Sequence, residues 1–177
     1  MGFMMKTTNY YIEIKWMLYG CILALTTLVG ITFANTFKVK YEIYNELYLF
    51  LNYYNIEIGF SKNKLSDIIN SFLNKQTIDY LNLNEVIEYV KKGIIVEKKF
   101  KYKNPLKYLN ESQLNEIENI FNDIGKYDLI NEKANIEGML KFVSNLKETA
   151  LYNKNKYYSF FIKLGIIAGC FIIILFI

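Results

Sequence analysis

The sequence predicts an all-α protein: a helical-bundle soluble domain flanked by N- and C-terminal transmembrane helices that are continuous with its first and last helices. Three observations carry the prediction. Trp16–Phe37 contains no Asp, Glu, Lys or Arg, and about 20 such residues take a helix across ~30 Å of hydrocarbon. Leu164–Ile177 is a second, wholly apolar block at the other end of the chain. Between the two, apolar residues recur at steps of three and four, the spacing of a helix face. The expected organisation is a short N-terminal extension (1–15), a first transmembrane helix (16–37), a helical domain (38–156) and a second transmembrane helix (157–177).

Composition narrows the function. The chain has 177 residues and is 53% hydrophobic, more than a soluble domain carries and less than a polytopic transporter. Its polar middle is large enough for one modest core. All 21 basic residues are lysines. Arginine is the preferred residue for bidentate contacts to phosphate and bases, so its absence argues against a nucleic-acid partner. There is no histidine, and Cys21 and Cys170 both lie inside the apolar blocks. A thiolate zinc site or a disulfide framework would need thiols in the middle domain, which has none. No GxxxxGK[ST] phosphate loop is present. The carboxylate pairs Glu85/Glu88 and Glu116/Glu118 read as helix surface. No catalytic site, metal or cofactor is expected.

The first helix is bracketed by Lys15 and Lys38. Its polar residues are mostly threonines, which can return their hydroxyls to helix carbonyls. Thr32-Phe33-Ala34 has the small-x-small form of a cleavage site, which leaves open an alternative: a cleaved or tail-anchored surface binding protein. The apolar run exceeds the roughly 7–15 residues of a signal-peptide core, which favours retention. Lys38 and Lys40 follow this helix, and Lys154, Lys156 and Lys163 accompany the start of the last one. That bias places the middle domain in the cytoplasm, with both termini outside.

Val39–Phe60 continues the first helix with a stripe of Ile43, Leu47, Phe50 or Leu51, and Tyr54. Ser61 is expected to cap a helix from Lys62 that turns Leu65, Ile68, Ile69 and Phe72 inward. A segment from Ile78 to Lys92, its second half capped by Asn84, ends at Gly93. Ile94–Asn104 alternates lysines with Phe100 and Tyr102 and reads as a solvated loop in preference to a basic surface for lipid headgroups or an acidic partner. Asn104-Pro105 closes it. Asn110–Gly125 is a helix capped by Asn110 or Ser112, with Leu114, Ile117, Ile120, Phe121 and Ile124 on its apolar face and Gly125 past its end.

The last helix is expected from about Asn131, with a core stripe of Ile136, Met139 or Leu140, Val143, Leu146 and Ala150. It then crosses Tyr157, Tyr158, Phe160 and Phe161, which suit a membrane interface. Leu164–Ile177 alone covers only about 21 Å as a helix, so the span recruits these aromatic residues. Gly165 and Gly169 form a GxxxG pair, and Gly30 with Ala34 a looser version. Such small residues let membrane helices approach closely, which makes these four the candidate helix-packing residues.

Leu28-Val29-Gly30-Ile31-Thr32-Phe33-Ala34-Asn35 running into Lys38, Lys40 and Leu47 resembles the start of stage III sporulation protein AB. Glu57-Ile58-x-Phe60 with Leu65-Ser66-Asp67-Ile68-Ile69 resembles that family's EI-x-YG and PL-x-EAL segments. Leu114–Lys126, ending in Gly125-Lys126, looks like its LGK helix end, and Leu164-Gly165-x-x-x-Gly169 looks like its C-terminal membrane helix. Ser61 and Lys64 depart from the family's usual Gly and Pro, and residues 1 to about 15 look like an extension. The resemblance implies a domain similar to the F-type platform proteins of type II secretion and type IV pilus machines. It also implies a place in the mother-cell membrane around the forespore. The partners implied are a cytoplasmic secretion-type ATPase and other membrane proteins of a sporulation channel.

Overall fold

The computed structural model describes residues 2–60, 64–75, 78–81, 83–84 and 106–176, with residues 2–12 and 60 as backbone only. The described chain is helical: α1 (Gly2–Phe60), α2 (Leu65–Leu73), a 3-10 turn (Leu106–Tyr108), α3 (Glu111–Asp123) and α4 (Leu129–Leu175). It divides into two compact units. Unit 1 pairs the N-terminal part of the chain, to Lys38, with Asn153–Ile177, and unit 2 is Val39–Tyr152. The proposed Ser61 cap, the Ile78–Lys92 segment beyond Asn84, Gly93, the lysine-rich stretch and Pro105 lie outside the described residues.

Unit 2 is built around the apolar stripe of α1. Ile43, Leu47, Phe50 and Leu51 are fully buried and Tyr54 nearly so. Phe50 is central. Its ring meets Phe72 of α2 edge-on at 5.6 Å and Phe121 of α3 at 5.6 Å. Burying such a ring contributes roughly 1.5–3 kcal/mol, and the edge-on geometry suits the quadrupoles of paired aromatic rings. Ile68, Ile69 and Phe72 of α2, then Leu81 and Leu83, Leu106 and Leu109, fill the same core. Ile136 and Val143 of α4 join it, both fully buried.

Each short helix has a local cause for its ends. α3 begins with a reciprocal capping box: the Gln113 backbone N–H donates to the Asn110 side chain at 2.8 Å, and the Asn110 N–H donates to the Gln113 side chain at 3.1 Å. Two otherwise orphaned donors are satisfied at once. The helix stops where Gly125 takes a φ of +80°, a left-handed conformation that costs a side-chain-bearing residue roughly 1–2 kcal/mol. α2 starts at Leu65 rather than Lys62. Lys64 is extended, and its carbonyl accepts from the N–H groups of both Asp67 and Ile68, so the first turn closes there without a side-chain cap. α4 starts at Leu129, two residues before the expected Asn131, because the Asp128 carbonyl accepts from Glu132 N–H at 2.7 Å.

In unit 1, α1 and α4 run antiparallel. Tyr19 donates to the Phe176 carbonyl at 3.4 Å. Phe33 stacks on Phe161 at 5.9 Å, and Phe37 lies 5.1 Å from Tyr157 and 5.6 Å from Phe161. The threonines of α1 turn their hydroxyls back onto the helix: Thr26 to Ile22 and Leu23, Thr27 to Leu23, Thr32 to Leu28 and Val29. Both α1 and α4 contain an apolar window long enough to cross a membrane.

Candidate functional site

The small residues singled out from the sequence meet in unit 1. Gly30 faces Gly165 with backbone on backbone. A Cβ added to Gly30 would sit 2.6 Å from the Phe161 carbonyl oxygen and 3.2 Å from the Gly165 Cα. A Cβ on Gly165 would sit 2.6 Å from the Thr26 carbonyl oxygen. Gly169 lies one turn along, where a Cβ would collide with the Thr26 hydroxyl and come within 3.3 Å of the Leu23 Cα. Ala34 is fully buried one turn after Gly30. The obstacles are mostly backbone, which cannot step aside as a flexible side chain can. Two helix axes this close gain dispersion contacts along the seam.

The outward faces are apolar too. Trp16, Met17, Leu25 and Leu28 of α1, and Ile167, Phe171, Ile174 and Leu175 of α4, are all exposed. A helix pair that is hydrophobic both along its seam and on its outer face has the surface pattern of a membrane hairpin.

Unit 2 holds two buried carboxylates that sequence reasoning did not single out. Glu132, at the start of α4, accepts from the Gly125 N–H at 2.7 Å, from the Tyr127 N–H at 3.4 Å and from the Tyr54 hydroxyl at 3.2 Å. It therefore fastens the α3–α4 turn to α1, with two backbone donors and one phenol satisfied by one side chain. Burial first, and the neighbouring Glu132 second, push the Tyr54 hydroxyl well above its ordinary pKa. The phenol stays a donor at every physiological pH.

Glu46 of α1 is 4% exposed and accepts from the Tyr80 N–H at 2.6 Å. Its other oxygen has no hydrogen-bond partner among the described residues. Burial pushes its pKa up to about 7, with nearby Asp79 adding to the shift and the Tyr80 and Leu81 amides opposing it. Asp79 in turn accepts from the Leu83 and Asn84 N–H groups. Tyr44, two residues before Glu46, buries a hydroxyl with no partner among the described residues, and burial with nearby Glu116 raises its pKa to about 12. A cue to both carboxylates was present. Glu46 stands three residues after Ile43 and four before Phe50, and Glu132 stands four before Ile136, so each falls on a buried stripe.

Glu118 corrects the surface reading of its pair. It is 8% exposed, because it follows Leu114 by four residues and precedes Phe121 by three, at the edge of the buried face. Its partner in sequence, Glu116, lines an open cavity of about 490 Å³ between α3 and α4, together with Ile120, Asp123, Asn135, Met139 and Phe142. Among the described residues no group of three His, Cys, Asp or Glu side chains is placed to hold a metal ion.

The family model described as stage III sporulation protein AB matches residues 15–177. Comparison with curated proteins gives no match, and comparison with solved structures gives none.

Proposed function

Because the chain belongs to the stage III sporulation protein AB family, which assigns it to sporulation, we propose that it is a non-catalytic platform component of a channel complex between mother cell and forespore. In this reading unit 1 anchors the chain in the mother-cell membrane around the forespore. Unit 2 lies on the cytoplasmic side and docks a secretion-type ATPase alongside other membrane proteins of the channel.

The observation that carries the anchoring half is the seam of unit 1. Gly30, Ala34, Gly165 and Gly169 bring α1 and α4 into backbone contact, and exposed apolar side chains cover the outer flanks. Without a hydrophobic force between helices in lipid, close packing of this kind is what holds a membrane pair together. The platform half is supported by the family and by composition. The chain contains no histidine, and both of its cysteines lie in unit 1, so acid–base or thiol chemistry at neutral pH has few residues to run on in unit 2. One carboxylate there fastens a turn to α1, as a scaffold requires.

Deletion of the gene is expected to arrest spore development after engulfment. Affinity purification of the tagged full chain from sporulating cells is expected to bring down the ATPase. Normal spores from a clean deletion would overturn the reading.

A further inference from the structure

We propose that unit 1 contains a binding site for an anionic phosphoester headgroup, in a cavity of about 330 Å³ lined by Lys38 of α1 and by Lys154, Asn155, Tyr158 and Ser159 of α4. The site rests on unit 1 spanning a bilayer, as proposed above.

The first argument is chemical. The described lining offers two ammonium groups, a carboxamide, a phenol and a hydroxyl. All five can donate hydrogen bonds, and no carboxylate is among them. Such a wall suits a monoanionic or dianionic oxygen cluster and repels a cation. On α4 the residues come as two i,i+4 pairs, Lys154 with Tyr158 and Asn155 with Ser159, so they share one face of the helix. Lys38 closes the cavity from the opposing helix.

The second argument is position. Lys38 immediately follows the uncharged Trp16–Phe37 stretch. Just inside it, Phe37 packs against Tyr157 and Phe161, an aromatic group of the kind that marks the membrane–water boundary. The cavity is therefore at headgroup depth, and the turns of α4 that follow expose Phe160 and Leu164 to the acyl region. Its volume is at the small end of ligand pockets, about 300–1,000 Å³, which suits one glycerophosphate group with its chains left outside. Basic pockets between membrane helices are used in this way for anionic lipids.

The same chemistry could be met by a lipid or by a free phosphoester, and the experiment separates them. The full chain in neutral detergent is titrated with phosphatidylglycerol, phosphatidylcholine or glycerol 1-phosphate, and binding is read by native mass spectrometry and by the shift in melting temperature. Phosphatidylglycerol is expected to bind in preference to phosphatidylcholine. K38Q and K154Q should each weaken it about five-fold. K38R/K154R should hold binding within about two-fold, which also guards against a variant that simply misfolds. K163Q removes an exposed lysine outside the cavity and should leave binding unchanged. Glycerol 1-phosphate that competes with the lipid and shows the same dependence on Lys38 and Lys154 supports the shared chemistry. If it binds alone while both lipids fail, the site belongs to a soluble phosphoester. Equal binding of the two lipids, or a K163Q loss as large as that of K38Q/K154Q, overturns the site in favour of diffuse attraction. Alkaline washing of membranes keeps the two readings apart. A wild-type chain released by alkali refutes the membrane anchor, whereas a retained chain without lysine-dependent preference refutes the headgroup site alone.

Discussion

At the scale of single residues, Glu46 is a buried carboxyl whose ionisation is drawn close to neutral pH. A buried carboxyl with one oxygen hydrogen-bonded and the other without a partner among the described residues is more easily carried in the protonated form. Its pKa is raised from 4.5 to about 7, and the sign of the linkage follows. The folded state holds this proton more tightly than the unfolded state does, so the stabilisation is complete below about pH 4.5. It is lost as pH rises from there through about 7. The full swing from this one group is of order a few kcal/mol. Thermal melts of the full chain in neutral detergent are expected to show a falling melting temperature across that window, and Glu46→Gln should flatten the fall. The glutamine can still accept from the Tyr80 N–H while placing a neutral amide where the second carboxylate oxygen stands. An unchanged pH profile in the Gln variant would show that Glu46 titrates like a surface carboxylate.

At the scale of elements, the seam between α1 and α4 in unit 1 makes the sharpest demand on side-chain size. Gly165→Leu drives a Cβ to 2.6 Å from the Thr26 carbonyl, closer than real Cβ contacts come, and adds a branched side chain beyond it. The helices must separate by ångströms. With Cys21 and Cys170 replaced by alanine, cysteines introduced at Phe33 and Phe161, whose rings lie 5.9 Å apart, are expected to cross-link efficiently in membranes. Adding Gly165→Leu should cut the yield several-fold, whereas Gly138→Leu, at a glycine with open space around it, should not. Equal yields would mean that the small residues do not set the approach.

The apolar stripe of α1, the inward face of α2 and both ends of α3 were legible in the sequence because each rests on a local rule. Ile43, Leu47, Phe50 and Tyr54 keep helical period, Asn110 is one of the two caps the sequence offered, with the Gln113 half of the box added by the structure, and Gly125 supplies the positive φ. Glu46, Glu118 and Glu132 were not, because a carboxylate on a buried stripe contradicts the apolar pattern and is read as surface. What makes these sites tolerable is long-range: the Tyr80 amide lies 34 positions from Glu46, and the Tyr54 hydroxyl 78 from Glu132. The early start of α4 was hidden for a related reason. Leu129 and Ile130 are exposed, so no periodic signal marks that first turn, and the hydrogen bond to the Asp128 carbonyl fixes it instead.

At the scale of the whole molecule the question is which side of the membrane holds unit 2. The chain leaves unit 1 after Lys38 and re-enters it at Asn153. Both connections are therefore at the end of the helix pair that carries Lys38, Lys154 and Lys156, while the opposite end pairs Tyr19 with the Phe176 carbonyl. Lysines near the ends of spanning helices are retained on the cytoplasmic side, so unit 2 should be cytoplasmic and both chain termini outside. Ile130, which is 79% exposed, offers a reporter on unit 2 that does not disturb its core. In a chain with Cys21 and Cys170 replaced by alanine, I130C should resist a membrane-impermeant maleimide in intact protoplasts and react once the membrane is opened. G2C should react from outside without permeabilisation. The reverse pattern would put unit 2 beyond the reach of any cytoplasmic ATPase. The platform reading would fall with it, whereas the helix seam, the buried carboxylates and the family membership would stand.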